Sequence, residues 1–301
     1  WAAMGHGTGV HNAVFVIFFL RGVTIGVIGA SSLHIARSCG VPQNYFIAAR
    51  GVGLTIGPLI FGRTIGRVVW SGNSQYFVAF ALAVMALCEA AIPRTSTGAL
   101  LYPTFLLLGL AMATLDTSGD VVLTTVHGDR CSIPLNVINA VYGVGGMVAP
   151  YLVVAAPQRA WDLLALCHLS IAVVLAGRRL HLGKPKGWKA KIRSGANSSS
   201  GSPVAQSPTA AADGSDDFQG LEMRRVFGGG LCFIFLAQAT ETAMSSWGFT
   251  YALTSLKQQP AVAALFPSTF YFFFTVARLG VVPASTWIPP SAFVQVGALC
   301  M

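Results

Sequence analysis

The segment 178–225 reads RRLHLGKPKGWKAKIRSGANSSSGSPVAQSPTAAADGSDDFQGLEMRR and is the one long polar stretch of the chain. It begins as a basic run, continues as a tract of Ser, Gly, Ala and Pro, and ends on Arg224 and Arg225. On both sides of it the sequence is a series of apolar segments, each about as long as a bilayer is thick. Two apolar blocks joined by one polar linker predict a multi-pass membrane protein in two halves.

The composition indicates that lipid is the main solvent of the chain. Of the 301 residues, 54% are apolar and only 10% are charged, and the mean hydropathy is +0.65. A soluble domain carries about a quarter of charged residues, so the charge here is too low to cover a water-exposed surface. The net charge of +9 lies mostly in loops beside apolar segments, and for this reason we expect no nucleic-acid partner.

Apolar segments long enough, or nearly long enough, to span a membrane follow one another along the chain. They lie at Val10–Ile35, Tyr45–Gly62, Tyr76–Ile92, Ala99–Leu123, Pro134–Ala156, Ala160–Gly177, Val226–Leu253 and Val262–Val282, and a further one begins near Pro290. They lack the alternation of β-strands, and helix is the other structure that satisfies its own backbone in lipid. We therefore predict an all-α transmembrane helix bundle.

The predicted bundle has three parts. Residues 1–177 form a six-helix N-terminal half, residues 178–225 a cytoplasmic and largely disordered basic linker, and residues 226–301 an incomplete C-terminal half. Lys and Arg are concentrated in the loops on the side of the linker, which by the positive-inside rule places that side and the N-terminus in the cytoplasm. We expect the plasma membrane as the location, with an organelle membrane as the alternative.

Catalytic and metal-binding patterns are missing from the sequence. The six cysteines lie mostly inside apolar runs, and none has the spacing of a metal ligand set. The sequence also contains no nucleotide-binding motif and no cluster of nucleophile, acid and base. We therefore predict no enzyme, no metal site and no cofactor apart from a coupling ion.

Ionisable side chains inside apolar segments indicate function, because their burial in lipid is costly. Asp116 and Asp120 are four residues apart and share one helix face. We interpret these carboxylates as candidates for ion coupling, and Arg50 belongs to the same set of intramembrane charges. The alternative is a structural ion pair of an aspartate with Arg21 or Arg50.

Three other intramembrane groups receive plainer interpretations. Glu89 and Asp162 lie near the ends of predicted spans, where their carboxylates can reach water. His168 is a lone histidine in an apolar segment, and we interpret it as a hydrogen-bonded core residue rather than a proton relay.

Polar and aromatic side chains in the fifth and seventh spans suit a polyol. The amide and carboxylate groups hydrogen-bond hydroxyls, and an aromatic ring packs on the apolar face of a sugar. The alternative is hydrogen bonding between helices. The predicted substrate-binding residues are Asn136, Asn139, Gln238, Glu241 and Trp247, with Tyr142 on the same helical face as the two asparagines.

Three passages of the chain resemble the major facilitator superfamily of membrane transporters. They are 49–53 with 57–63 and 66–67; 115–120 with 134–150; and 241–247 with 250–251, 268–270, 277–279 and 283–285. The second and third are similar to the sodium-dependent glucose transporter-like group (major facilitator superfamily domain-containing protein 4). That group has Asn, Gln and His at the positions of Asp120, Asn136 and Asn139, and the superfamily has an acid at the position of Arg63.

The resemblance implies about twelve helices in two six-helix halves, with the solute bound between the halves. It implies secondary active transport by alternating access of a small polar solute, a sugar in the first place, with Na⁺ or H⁺ as coupling ion. The protein would be monomeric in the bilayer, and the present chain would be a fragment. Loops implied in conformational gating hold Gly62, Arg63, Gly66, Arg67 and Arg278.

Two other functions stay open at this point. One is a receptor or scaffold that uses a transporter fold without transporting, and the other is a facilitator for a different solute. A membrane-embedded enzyme would need a clustered catalytic set at one membrane face, which the sequence does not offer.

Overall fold

The computed structural model describes residues 8–71, 74–128, 131–177 and 215–284. These ranges form helices joined by short turns and contain no strand, which confirms the predicted all-α class. The helices are α1 (Thr8–Cys39), α2 (Gln43–Ser71), α3 (Ser74–Ala91), α4 (Gly98–His127), α5 (Ser132–Ala155), α6 (Pro157–Gly177), α7 (Ser215–Thr254) and α8 (Pro260–Ala284), and a 3-10 turn (Ile92–Arg94) follows α3.

Among the described residues, seven helices are long and apolar enough to cross a membrane, namely α1 to α6 and α8. A chain with this many such helices is a multi-pass membrane protein. The seventh predicted span lies inside α7, and α7 is not among these membrane-spanning candidates. The last predicted span, which begins near Pro290, lies outside the described residues.

Two predicted boundaries differ from the structure. Arg63, Gly66 and Arg67 were predicted to lie in a loop, but α2 continues through them to Ser71. The prediction was wrong because the apolar run ends at Gly62, whereas arginine continues a helix readily.

The second difference concerns α7, which begins at Ser215 and so includes the end of the predicted disordered linker. The acids Asp216 and Asp217 follow Ser215 directly, and acids in a first turn stabilise a helix through its dipole. The rest of the linker, residues 178–214, lies outside the described residues.

The chain divides into two compact units. The first comprises residues 1–182 and 243–293, and the second residues 183–242 and 294–301. Of the described elements, α1 to α6, the end of α7 and α8 belong to the first unit. The first part of α7 belongs to the second.

The first six helices pack in a repeating pattern. The main contacts pair α1 with α5, α2 with α4 and α3 with α6, and smaller contacts pair α3 with α4 and α1 with α6. This set of pairs stays the same when α1, α2 and α3 are exchanged with α4, α5 and α6. The packing therefore has the pattern of two three-helix repeats related by a two-fold axis.

Glycines form the closest contacts between the paired helices, where a Cβ atom would meet a backbone carbonyl oxygen of the neighbour. The contacts are Gly22 with Tyr142 and Gly145 with Phe19 between α1 and α5, and Gly109 with Arg50 and Gly53 with Leu106 between α2 and α4. Each of the four helices thus supplies one glycine and one carbonyl oxygen that a glycine of the neighbouring helix approaches. On every helix these two residues are three positions apart. The two interfaces therefore share one register, and small residues allow the close approach.

Candidate functional site

A buried ion pair joins α1 to α4. The Nε and Nη2 atoms of Arg21 donate to Oδ1 and Oδ2 of Asp116 at 3.1 and 2.7 Å. The side chain of Arg21 is 7% exposed and that of Asp116 is 39% exposed, so the carboxylate is the part of the pair that remains accessible. Two parallel bonds fix the guanidinium in one plane. Of the two arginines considered for this aspartate, Arg21 is the one that pairs with it.

Aromatic rings from α5 and α8 border this pair. The Cζ atom of Arg21 lies 5.8 Å from the ring centroid of Tyr142, within the range of a cation–π interaction. The ring of Tyr142 meets those of Tyr271 and Phe274 edge-on, at centroid distances of 6.0 and 6.2 Å. The hydroxyl of Thr275 donates to the carbonyl oxygen of Ala140 at 3.4 Å and joins the same two helices.

This arrangement combines a guanidinium, a carboxylate and aromatic faces on four helices of the first unit. We call Arg21, Asp116, Tyr142, Tyr271 and Phe274 the α1–α4–α5–α8 cluster. Charged groups of both signs beside aromatic rings can hold a polar solute by its hydroxyls and its apolar face. Sequence reasoning identified Asp116 and Tyr142 but not the two aromatic residues of α8, because an aromatic residue in an apolar segment carries no signal of its own.

The predicted substrate-binding residues are distributed over both units. Asn136 and Asn139 are half-buried on α5, and their amides donate to the carbonyl oxygens of Ser132 and Leu135 at 2.9 and 2.8 Å. Each asparagine therefore uses one amide hydrogen within its own helix. This leaves the second amide hydrogen and the side-chain oxygen of each asparagine for other partners.

The other predicted substrate-binding residues lie on α7. Gln238 is exposed, and its amide donates to the half-buried carboxylate of Glu241 at 3.4 Å. These two residues belong to the second unit. Trp247 belongs to the first unit and is 38% exposed.

The other predicted intramembrane charges do not join the Arg21–Asp116 pair. Asp120 is exposed, and within the described residues its carboxylate takes part in no ion pair. Arg50 is 2% exposed, and its Nη2 atom donates to the hydroxyl of Ser246 at 3.4 Å. Arg50 is therefore a contact between α2 and α7.

A second polar contact joins the same helices near the α1–α2 connection. The side-chain amide of Gln43 lies 2.6 Å from the hydroxyl of Ser32, 3.2 Å from the carbonyl oxygen of Ser246 and 3.3 Å from the hydroxyl of Thr250. Sequence reasoning missed Gln43 because it precedes the predicted second span and was counted with the loop. Its two amide hydrogens hold the ends of α1, α2 and α7 together.

A third polar cluster lies among α1, α3 and α6. The hydroxyl of Thr24 donates to Oε1 of Glu89 at 2.7 Å, and Nδ1 of His168 lies 2.8 Å from Oε2 of the same carboxyl group. Glu89 and His168 are both fully buried. The interpretation of His168 as a hydrogen-bonded core residue is confirmed, whereas the expectation that Glu89 reaches water is wrong. Thr24 of α1 and His168 of α6 contact the carboxyl group, which is 0% exposed.

The structure describes the surroundings of two of the predicted gating residues. Gly62 is half-buried in α2, and the Cζ atom of Arg278 lies 5.1 Å from the ring centroid of Phe274. The side chains of Arg63 and Arg67, and the surroundings of Gly66, lie outside the described residues.

Comparison of the chain with protein-family models, with curated proteins and with solved structures finds no match. Within the described residues, no group of three or more His, Cys, Asp or Glu side chains is arranged to hold a metal ion.

Proposed function

We propose that the protein is a secondary active transporter of the major facilitator type, which moves a small polar solute, in the first place a sugar, by alternating access. The observation that carries the proposal is the repeated packing of the first six helices. Transporter folds are commonly built from such repeats, because two copies of one unit can exchange conformations and expose a site to one side and then the other. The shared glycine register supports this, since small residues let helices slide at close distance.

The α1–α4–α5–α8 cluster is the proposed solute site. Transporters bind substrate where repeats meet, and α1 and α4 are the two helices that exchange in the packing pattern. The Arg21–Asp116 pair supplies a donor and an acceptor to hydroxyl groups, and Tyr142 offers an aromatic face. Asn136, Asn139 and Trp247 are proposed to extend the site within the first unit. Gln238 and Glu241 stay predicted solute-binding residues of the second unit.

Asp116 is also the proposed coupling group. Its carboxylate is held by Arg21 yet remains partly accessible, so a cation or a proton that binds it would weaken the ion pair and free both groups for the solute. Na⁺ and H⁺ both fit this role. The linker and the N-terminus are proposed to be cytoplasmic, in the plasma membrane.

The test is uptake of a panel of labelled hexoses by liposomes that contain the purified protein, with imposed Na⁺ or H⁺ gradients. We expect saturable uptake driven by one gradient and abolished when that gradient is collapsed. Uptake without a gradient would indicate a facilitator. A folded protein that moves no hexose under any gradient would contradict the proposed sugar transport and favour a receptor or another solute.

Asp116→Asn tests the coupling role. We expect it to abolish gradient-driven uptake, because the amide cannot exchange a cation or proton in the same way. Asp162→Asn is the matched control, since Asp162 is an exposed carboxylate that pairs with Arg94 at 2.8 Å away from the cluster. Equal gradient-driven uptake by Asp116→Asn and the wild type would rule out Asp116 as the coupling group.

A further inference from the structure

We propose that Glu89 is a proton-binding site, with Thr24 and His168 as its hydrogen-bonding partners. The use of this proton in coupling rests on the proposed transport. The proton site itself rests on the geometry of the three side chains.

The first argument is that the three side chains keep their hydrogen bonds to one another in either protonation state of Glu89. The hydroxyl oxygen of Thr24 lies 2.7 Å from Oε1 of Glu89 and 3.1 Å from the carbonyl oxygen of Leu20. When Glu89 is ionised, the single hydroxyl hydrogen of Thr24 is donated to the carboxylate. When Glu89 carries a proton on Oε1, it donates to Thr24, and the hydroxyl turns its hydrogen to Leu20. A proton can therefore bind and leave without breaking the cluster.

The second argument assigns the exchanging proton to Glu89 rather than to His168. The Nε2 atom of His168 is buried and has no hydrogen-bond partner in the described part of the chain. An imidazolium would place a charged N–H there without an acceptor, which is far more costly than an unused lone pair. His168 is therefore neutral, with its hydrogen on Nδ1, and donates to Oε2 of Glu89 in both states.

The third argument is that a water-sized cavity lies close to the cluster, although Thr24, Glu89 and His168 do not line it. A cavity of about 30 Å³ lies among α1, the 3-10 turn after α3 and the start of α6. This volume holds about one water molecule. Ile92 and Trp161 line the cavity, and Ile92 is three residues after Glu89, about one helical turn away. The exposed ring of His34 also lines the cavity, which places this space next to solution.

Several other ionisable groups on the helices around Glu89 are engaged elsewhere. Arg21 on α1 pairs with Asp116 on α4. Arg94, in the 3-10 turn after α3, pairs with Asp162 near the start of α6. Arg50 on α2 bonds to α7. The remaining described ionisable groups of α1, α3, α4 and α6 are His34, Arg37, Cys39, Tyr76, Cys88, Tyr102, Asp120, His127, Arg159 and Cys167. Of these, Asp120 is the one further carboxyl group, and it is exposed. Glu89 is thus the carboxyl group of this region that has neither an ion-pair partner of fixed charge nor direct contact with water.

Infrared spectroscopy of the protein in liposomes during a pH titration tests the site without any solute. We expect a carbonyl band of a buried protonated carboxyl group whose intensity changes with pH. The band should be lost in Glu89→Gln and retained in Asp162→Asn. A band that persists in Glu89→Gln, or a wild-type spectrum without a titrating buried carboxyl band, would overturn the proposal.

Thr24→Val keeps the test decisive if Glu89→Gln does not fold. Loss of the hydroxyl removes the hydrogen-bond partner of Oε1, so the carbonyl band of the protonated carboxyl group should change in frequency. An unchanged band in Thr24→Val would show that the hydroxyl does not bond to the carboxyl group, and would likewise contradict the proposal.

Transport assays separate the proton site from the proposed function. In Glu89→Gln we expect exchange of the transported hexose across the membrane without a gradient to continue, while accumulation driven by a proton gradient is lost. Retained proton-driven accumulation would exclude Glu89 from coupling. If the wild type moves no hexose, the proposed function fails, and the infrared titration still decides whether Glu89 binds a proton.

Discussion

Arg21 is a cation held within an apolar bundle, and its stability there depends on Asp116. The guanidinium is 7% exposed and donates two hydrogen bonds to one carboxylate. Removal of the carboxylate alone leaves a buried charge, which costs more than the net contribution of the pair. A single substitution therefore overstates what the pair contributes, and only a double-mutant cycle isolates it.

We predict a coupling energy of about 0.5–3 kcal/mol between Arg21→Gln and Asp116→Asn, in the lower part of this range because Asp116 is 39% exposed. The free energy of unfolding of the two single variants and the double variant in detergent provides the measurement. The Arg94–Asp162 pair, with side chains 62% and 49% exposed, is the control and should give about 0–1 kcal/mol. Equal coupling in both pairs would show that the burial of Arg21 does not matter.

For single residues, the sequence indicated which charged side chains need a partner, but it indicated their depth in the bundle less well. Asp116 and Arg21 could be named as candidate partners because charges in apolar segments need compensation. Glu89 was misplaced because hydropathy marks the end of an apolar run and not the depth of a side chain. Gln43 was overlooked because a polar residue before a span has the same pattern whether it faces water or a neighbouring helix.

Individual helices are positioned by where a neighbour's backbone can approach, and α2 shows this with two glycines. A Cβ atom at Gly53 would meet the carbonyl oxygen of Leu106 on α4, whereas one at Gly51 would have no atom within 4 Å. Both residues lie in the same helix and have the same intrinsic preference. The difference between them is the contact with α4.

We therefore predict that Gly53→Ala destabilises the protein by about 1–3 kcal/mol, the usual cost of overpacking. Gly51→Ala should be neutral or stabilising by up to about 1 kcal/mol, because alanine favours the helix. Thermal unfolding of both variants is the measurement. Equal effects would mean that α2 and α4 do not pack at Gly53 as described.

Helix existence followed from the sequence, while helix length did not. Each apolar segment within the first six spans became a helix, because lipid leaves no other way to satisfy the backbone. The ends differ since Arg63 and Arg67 are polar yet favour a helix, so α2 continues past the apolar run. Any gating role of Arg63 and Arg67 would therefore belong to the end of a helix and not to a flexible loop.

For the first six helices as a whole, the repeat of α1–α3 and α4–α6 could not be predicted from the residues. The two sets share few identical residues, and the relation appears only in which helices pack together and at which glycine register. The side chains at corresponding positions of the two repeats differ. Tyr142 on α5 corresponds in the glycine register to Arg50 on α2. Tyr142 borders the ion pair, whereas Arg50 contacts α7. One repeat thus serves the proposed solute site and the other the contact with the C-terminal helices.

That contact is proposed to close the non-cytoplasmic end of the first unit. Gln43 bonds to α1 and α7 together, and a Cβ atom at Gly29 of α1 would meet the carbonyl oxygen of Ser245 on α7. If α7 moves away from α1 and α2 during alternating access, these hydrogen bonds must break. Their strength then sets how often this end opens.

We predict that Gln43→Leu opens this end more often. Loss of the amide removes hydrogen bonds of about 0.5–1.5 kcal/mol each, which corresponds to up to about a tenfold larger open population per bond. The measurement is labelling of Ala252→Cys, a buried position on α7 (0% exposed), with a membrane-impermeant maleimide in a cysteine-free background. Leu256→Cys, at a residue that is 40% exposed after α7, controls for reagent access and should label equally with Gln43 or Leu at position 43. Unchanged labelling of Ala252→Cys would show that Gln43 does not hold this end closed.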